Sequence, residues 1–188
     1  MFRSAVLALV LAACEGPGQV AKPDPCHGVV TDVPIAGANH VPEGSPIEWT
    51  SNPPTSGDHY PIWAEFDEHY DSLQRGYWVH DLEHGAIVYA YRCDAGCPDV
   101  AAKLDDVVHN LGTDGTCHAP VRQRALVVAD PLLPADGTVV AVAWGSYYAA
   151  ANACVDHDTL MEFYYEHAAR GPEDTCNDGA AFSGVPIE

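Results

Sequence analysis

The sequence predicts an α+β protein with one small mixed β-sheet, helices on one face of it, a loop-rich N-terminal part and bracing disulfides. Three observations lead to this prediction. Apolar β-favouring runs alternate with two amphipathic segments, prolines crowd the first third of the chain, and the cysteine count suits disulfide pairing. A length of 188 residues fits one domain with its own hydrophobic core.

Prolines and apolar runs predict where the strands lie. Six prolines between residues 34 and 61 exclude long helices from that part of the chain. A short strand is expected near residues 27–33. Residues 85–91 are apolar and rich in β-favouring side chains, so they are predicted to form a buried strand. Two further strands are predicted at residues 125–129 and 138–144.

Two segments have the spacing of amphipathic helices. In the first, apolar residues recur at helical intervals from Val100 to Leu111, and Pro98 suits the first helical position. The second is predicted from about residue 158 to 170, with Thr159 and Glu162 as a capping box. The resulting order of strand, helix, strand, strand, helix is typical of helices on one face of a small sheet.

The N-terminus resembles a bacterial lipoprotein signal. Arg3 precedes an apolar stretch at residues 4–13 that is too short to span a bilayer. The stretch ends in Leu-Ala-Ala-Cys, the pattern of a cleavage box that leaves Cys14 to carry lipid. We therefore expect a signal peptide at 1–13, a flexible tether at 14–25 and a single α+β domain at 26–188. The predicted location is the cell envelope, facing the periplasm or exterior, where lipid on Cys14 would anchor the protein to the membrane.

The other cysteines predict disulfides. Without Cys14, six of the seven cysteines remain, and an even number in an exported chain suggests three bridges. They are Cys26, Cys93, Cys97, Cys117, Cys154 and Cys176. The sequence does not choose among the fifteen pairings of six cysteines, although Cys93 and Cys97 flank a tight turn and form the easiest local pair. A redox-active pair at Cys93 and Cys97 is the alternative. A cysteine-rich zinc site is not expected, because the sequence contains no C-x2-C pair.

The charge of the chain excludes one class of partner. The formal net charge is −19, with only 8 lysines and arginines. Nucleic-acid binding needs clustered basic residues, so no nucleic-acid partner is expected. A solvated acidic surface is the simplest interpretation of this charge, and such a surface also attracts cations.

Two polar motifs predict a metal site. Residues 51–61 read S-N-P-P-T-S-G-D-H-Y-P and place His59 on a loop stiffened by proline. Residues 76–89 bring His80, Glu83 and His84 into an otherwise apolar run. We predict His59, His80 and His84 as the metal ligands. Asp58 or Glu83 is expected to orient one of these imidazoles through a hydrogen bond, without binding the metal itself.

Spacing limits how His80 and His84 can share an ion. In an extended strand their Cα atoms would lie about 13 Å apart, whereas a helical turn brings the Cβ atoms within about 5–6 Å. A shared ion therefore requires a turn at residues 81–83. The letters H-D-L-E-H also match the inverted zinc-protease motif, with Glu83 as base. That motif belongs in a long helix, whereas here it lies between strand-like segments and precedes Gly85.

The patterns S-N-P-P-T-S-G-x-H-Y and V-H-x-L-E-H-G-x-[IV]-V resemble the signature of a bacterial family of exported or membrane-anchored domains of unknown function. The resemblance extends through Ala143-Trp144-Gly145 to Gly171-Pro172-Glu173 and covers about residues 45–175. This chain has Asp58 where the family pattern leads us to expect proline, and it adds Cys93 and Cys97. The resemblance implies the fold and the compartment, and it brings no established reaction.

Three functions fit these observations. The first is a lipid-anchored, metal-binding or metal-handling protein, with copper or zinc as the ion because imidazole ligands suit both. Three protein ligands would leave an open fourth position. The second is a metal-dependent envelope hydrolase or oxidoreductase that uses Glu83 as its acid/base. The third is a non-catalytic interaction module in which the histidines make structural hydrogen bonds.

Overall fold

A computed structural model describes residues 24–182. The predicted signal peptide, the proposed lipidation site Cys14 and most of the tether lie outside the described residues, as do residues 183–188.

The described part of the chain folds around one mixed sheet. The elements are β1 (Val29–Asp32), β2 (His69–Tyr70), α1 (Arg75–Glu83), β3 (Ile87–Tyr91), α2 (Pro98–Asn110), β4 (Ala125–Ala129), β5 (Val139–Ala143), β6 (Ser146–Ala150) and α3 (His157–His167). The six strands are ordered β1-β6-β5-β3-β4-β2. Because β3 pairs parallel with β4 and antiparallel with β5, the sheet is mixed, and the predicted α+β class is confirmed.

The sheet is covered on both faces. Successive side chains of β3 point in opposite directions, so Val88 joins the core cluster beneath α1 while Tyr89 joins the cluster beneath α2 and α3. All five residues of β3 are buried for this reason. The two helices that the sequence predicts lie on one face, as expected, and α1 adds a layer on the opposite face.

Helix α1 was not expected. The H-D-L-E-H motif was expected to lie between strand-like segments, with a turn at residues 81–83, but the chain is helical throughout Arg75–Glu83. The strand-like assignment of the segment before the motif is therefore wrong. All nine residues of α1 are buried, and Trp78 is completely enclosed. A helix that is buried all round has no solvent-exposed face, so its sequence lacks the amphipathic stripe by which surface helices are recognised.

Helices α2 and α3 agree with the predicted segments, with one difference at a cap. The side chain of Asp156 accepts a hydrogen bond from the backbone N–H of Thr159 and so caps α3. Thr159 is therefore inside the helix and is not the first residue of a capping box.

Three disulfides brace the fold, and they pair Cys26 with Cys154, Cys93 with Cys97, and Cys117 with Cys176. The Cys93–Cys97 bridge is the local pair expected from the sequence. Disulfides persist in oxidising compartments, which agrees with a location outside the cytoplasm. Within residues 24–182, none of the helices has the length and apolar character needed to cross a bilayer.

Candidate metal centre

Two loops and one helix bring a group of histidines together. His40 and His59 form an isolated parallel β-bridge, in which the backbone N–H of His59 donates to the carbonyl of Asn39 at 3.0 Å. This bridge sets the two rings side by side. Helix α1 supplies His80 and Glu83, which lie three residues apart and so project from the same side of the helix.

The three imidazoles form a nearly equilateral triangle around one carboxylate oxygen. The ring centroids are 4.9 Å apart for His40 and His59, 4.8 Å for His40 and His80, and 4.9 Å for His59 and His80. Glu83 Oε2 lies 3.0 Å from Nε2 of His59, 3.5 Å from Nε2 of His40 and 3.7 Å from Nε2 of His80. One donor atom from each of these four residues lies within 4.8 Å of the others. This group of four could hold a metal ion.

Backbone carbonyls fix the orientation of two of the rings. Nδ1 of His59 donates to the carbonyl of Gly57 at 2.8 Å, and Nδ1 of His80 donates to the carbonyl of Tyr60 at 2.7 Å. A carbonyl oxygen can only accept, so in the neutral rings the proton lies on Nδ1 and Nε2 carries a lone pair. Those lone pairs face Glu83 Oε2. A proton or a metal ion between them is needed to turn the 3.0 Å contact of His59 with Glu83 into an attraction.

The centre is enclosed on all but one side. His59, His80 and Glu83 are buried, whereas the side chain of His40 is 49 % exposed. Burial lowers the pKa of His80 to about 3, with a smaller contribution from the neighbouring histidines, although the Tyr60 carbonyl opposes the shift. His80 is therefore neutral at neutral pH, which is the form that binds metal.

For the metal-free protein we expect the free energy of unfolding to fall as the pH is lowered from 7 to 4. Burial holds the pKa of His80 at about 3 in the folded chain, whereas a free imidazole titrates near 6.5. Between these values the unfolded chain binds a proton that the folded chain does not, which costs up to about 1.4 kcal/mol per pH unit. Urea unfolding at pH 7, 6 and 5 measures this slope.

The matched variant for this experiment is His80→Asn, because asparagine retains a donor for the Tyr60 carbonyl. Its unfolding free energy should depend less steeply on pH than that of the wild type. Identical slopes would contradict the assignment to His80.

The structure places His84 beside this group rather than in it. The His84 ring lies 4.7 Å from that of His80, but its Nε2 is 3.4 Å from Oε2 of Glu173. His84, Glu83 and Glu173 form a second group whose donor atoms lie within 4.8 Å of one another. His80 and His84 therefore do not converge on one point in the manner of the inverted zinc-protease motif.

Two members of these groups, His40 and Glu173, were not predicted as ligands. Of the two carboxylates expected to orient an imidazole, Glu83 lies 3.0 Å from Nε2 of His59 and is itself a member of the group. Glu173 lies in the Gly-Pro-Glu segment that contributed to the family resemblance, which was the available signal for it. His40 had no comparable signal. Asp58 accepts a hydrogen bond from the side chain of Asn39 at 3.1 Å, while the carbonyls of Gly57 and Tyr60 orient the rings.

Comparison with known proteins assigns the chain to a family. A family model described as "Protein of unknown function (DUF3105)" matches residues 40–179, which is well over half of the chain. The matched stretch includes every member of the two groups, namely His40, His59, His80, Glu83, His84 and Glu173. No curated protein and no solved structure matches the chain. The chain therefore belongs to DUF3105, a family whose function is not known.

Proposed function

We propose that this protein binds and handles a transition metal, copper or zinc, in the cell envelope, where lipid on Cys14 anchors it to the membrane. The ligands are His40, His59, His80 and Glu83. The observation that carries the proposal is the convergence of three imidazole Nε2 atoms on one buried carboxylate oxygen, at 3.0–3.7 Å.

These separations are close to those around a bound ion. In a tetrahedral site with metal–ligand bonds of roughly 2.0–2.1 Å, neighbouring donor atoms lie about 3.3 Å apart. The three distances from Nε2 atoms to Glu83 Oε2 are close to that spacing, and all four donor atoms lie within 4.8 Å of one another, so a bound ion would draw the donors together. Hydrogen bonds from Nδ1 of His59 and His80 to carbonyls are the outer contacts that orient metal-binding histidines.

The donor types restrict the metal. Imidazole nitrogens suit zinc and copper, and a carboxylate oxygen is compatible with both. All six cysteines in the described part of the chain are in disulfides, so thiolate ligands are not available from them. The acidic chain, with a formal net charge of −19, attracts cations toward the protein.

Binding and handling fit this geometry better than catalysis. Glu83 lies within 3.7 Å of three Nε2 atoms, which suits a ligand more than a free acid/base. His40 is half-exposed and lies on an irregular loop, so its ring can move aside to admit or release the ion. Three ligands are buried and fixed, and the fourth faces solvent. This arrangement favours exchange of the ion with a partner of the envelope.

The test is metal binding by the purified exported chain and by His59→Asn. Asparagine keeps a donor for the Gly57 carbonyl and removes Nε2, so the loop should stay in place. We expect the wild type to hold about one equivalent or more of copper or zinc by elemental analysis. In chelator competition, His59→Asn should bind at least about 100-fold more weakly, because it loses a ligand rather than an outer contact.

His118→Asn is the matched control, because His118 is exposed and belongs to neither group. It should bind metal like the wild type. If the wild type binds neither copper nor zinc, the proposal fails and a non-catalytic interaction module is the better interpretation. If the wild type binds metal and also hydrolyses or oxidises a substrate in an ion-dependent way, the enzyme alternative replaces handling.

A further inference from the structure

We propose a second metal position beside the first, formed by His84, Glu173 and the shared carboxylate of Glu83. This inference rests on the proposed function, because it extends the same centre from one ion to two. Glu83 belongs to both groups of donor atoms, and within each group the donors lie within 4.8 Å of one another. A carboxylate has two oxygens and can bind a different ion with each.

The backbone delivers Glu173 to this position. The N–H of Glu173 donates to the carbonyl of Glu83 at 3.0 Å, and the N–H of Ala169 donates to the carbonyl of Gly85 at 2.8 Å. Gly171 lies between these two bonds, where a Cβ atom would come within 2.1 Å of the Glu83 carbonyl oxygen. Glycine is therefore required for the segment at residues 169–173 to pack so closely against the end of α1.

Arg124 and a disulfide secure the same segment. The Arg124 guanidinium donates to the carbonyl of His84 at 2.9 Å and pairs with Asp174 at 2.7 Å. The Cys117–Cys176 bridge follows three residues after Glu173. The positions of His84 and Glu173 are thus set by contacts that do not involve their own side chains.

The polar atoms of His84 are poorly satisfied within the protein. The residue is 3 % exposed, and its Nδ1 has no hydrogen-bond partner among the described residues. Its Nε2 lies 3.4 Å from Glu173 Oε2, which is longer than a good N–H···O bond. An ion between the imidazole and the two carboxylates would satisfy the ring and offset the repulsion between Glu83 and Glu173.

The donors indicate the class of ion. One imidazole and two carboxylates suit a divalent ion such as Zn²⁺ or Mn²⁺, whereas Cu⁺ prefers softer ligands. The Glu173 side chain is 56 % exposed, so the second position faces solvent and retains room for water. We therefore expect it to bind more weakly than the enclosed first position.

Zinc stoichiometry of the full exported chain tests the inference. Equilibrium dialysis followed by elemental analysis should give two Zn²⁺ per wild-type chain, and one per chain for Glu173→Gln. Glu173 is half-exposed, so its replacement should not disturb folding, which circular dichroism checks. Glu166→Gln is the matched control, because Glu166 is exposed on α3 and belongs to neither group, and it should retain two.

Combining variants separates this inference from the proposed function. His59→Asn should retain the weaker ion, and His59→Asn with Glu173→Gln should bind none. Two outcomes overturn the second position and leave the first intact: one Zn²⁺ per wild-type chain that Glu173→Gln keeps and His59→Asn loses, or two Zn²⁺ in Glu173→Gln. No Zn²⁺ and no copper in the wild type overturns both.

Discussion

Replacing Arg124 by alanine is expected to lower the free energy of unfolding by about 3–5 kcal/mol, the cost typical of breaking a buried ion pair. The Arg124 side chain is completely buried. Its guanidinium pairs with Asp114 at 2.8 Å and with Asp174 at 2.7 Å, and it donates to the carbonyl of His84 and to the hydroxyl of Thr116. Alanine would leave the mostly buried Asp114 without its cation and the His84 carbonyl without this donor.

Urea unfolding of Arg124→Ala and Arg122→Ala measures this effect against a neighbouring control. Arg122 is 45 % exposed and lies 3.9 Å from Asp67, so its replacement should cost less than about 1 kcal/mol. Arg124→Lys should restore only part of the loss, since an ammonium group cannot reproduce the geometry of a guanidinium. Equal losses in the two alanine variants would mean that the buried network does not stabilise the fold.

Replacing Glu83 by glutamine should separate metal binding from stability. We expect the affinity for metal to fall by about 100-fold or more, since Glu83 is the shared ligand of both groups. The metal-free protein should be equally stable or more stable. In that state the buried carboxylate faces three imidazole nitrogens, whereas an amide carries no charge and can donate to His59 Nε2.

Both quantities can be measured on the same samples by chelator competition and by urea unfolding in a chelator. Glu166→Gln, which changes an exposed glutamate in the same way, should alter neither. A Glu83→Gln protein that binds metal normally but unfolds more easily would identify Glu83 as a structural residue.

Much of the sheet could be predicted because its elements have simple patterns. Residues 125–129 are a short apolar run and form β4. The apolar stripe from Val100 to Leu111 corresponds to α2, whose C-terminal capping residue is Leu111. Strand β6 was not predicted. Its residues alternate between buried and half-buried, but three of the five are tyrosine or serine, so the apolar signal is weak. Helix α1 was assigned partly as extended, because complete burial removes the helical period.

The site was predictable in part for a similar reason. His59, His80 and Glu83 lie in two motifs whose polar residues stand out locally, and the structure brings them into one group. His40 joins that group through a pairing of two irregular loops, and neither loop has a periodic pattern that predicts the pairing. His84 is near His80 in sequence, but the return of the chain at Glu173 places it with different neighbours. Local spacing cannot reveal a partner that is about 90 residues away in the sequence.

The Cys117–Cys176 bridge has a consequence for biogenesis. It joins the loop after α2 to the terminal segment that packs against α1, and these two pieces are separated by 59 residues. A covalent link of this kind limits how far the segment can stray before the chain folds. In a reducing cytosol the link cannot form, so in the newly made polypeptide the terminal segment would be held against α1 by non-covalent contacts alone. The segment that carries Glu173 would therefore be fixed covalently only in an oxidising compartment, where the bridge can form.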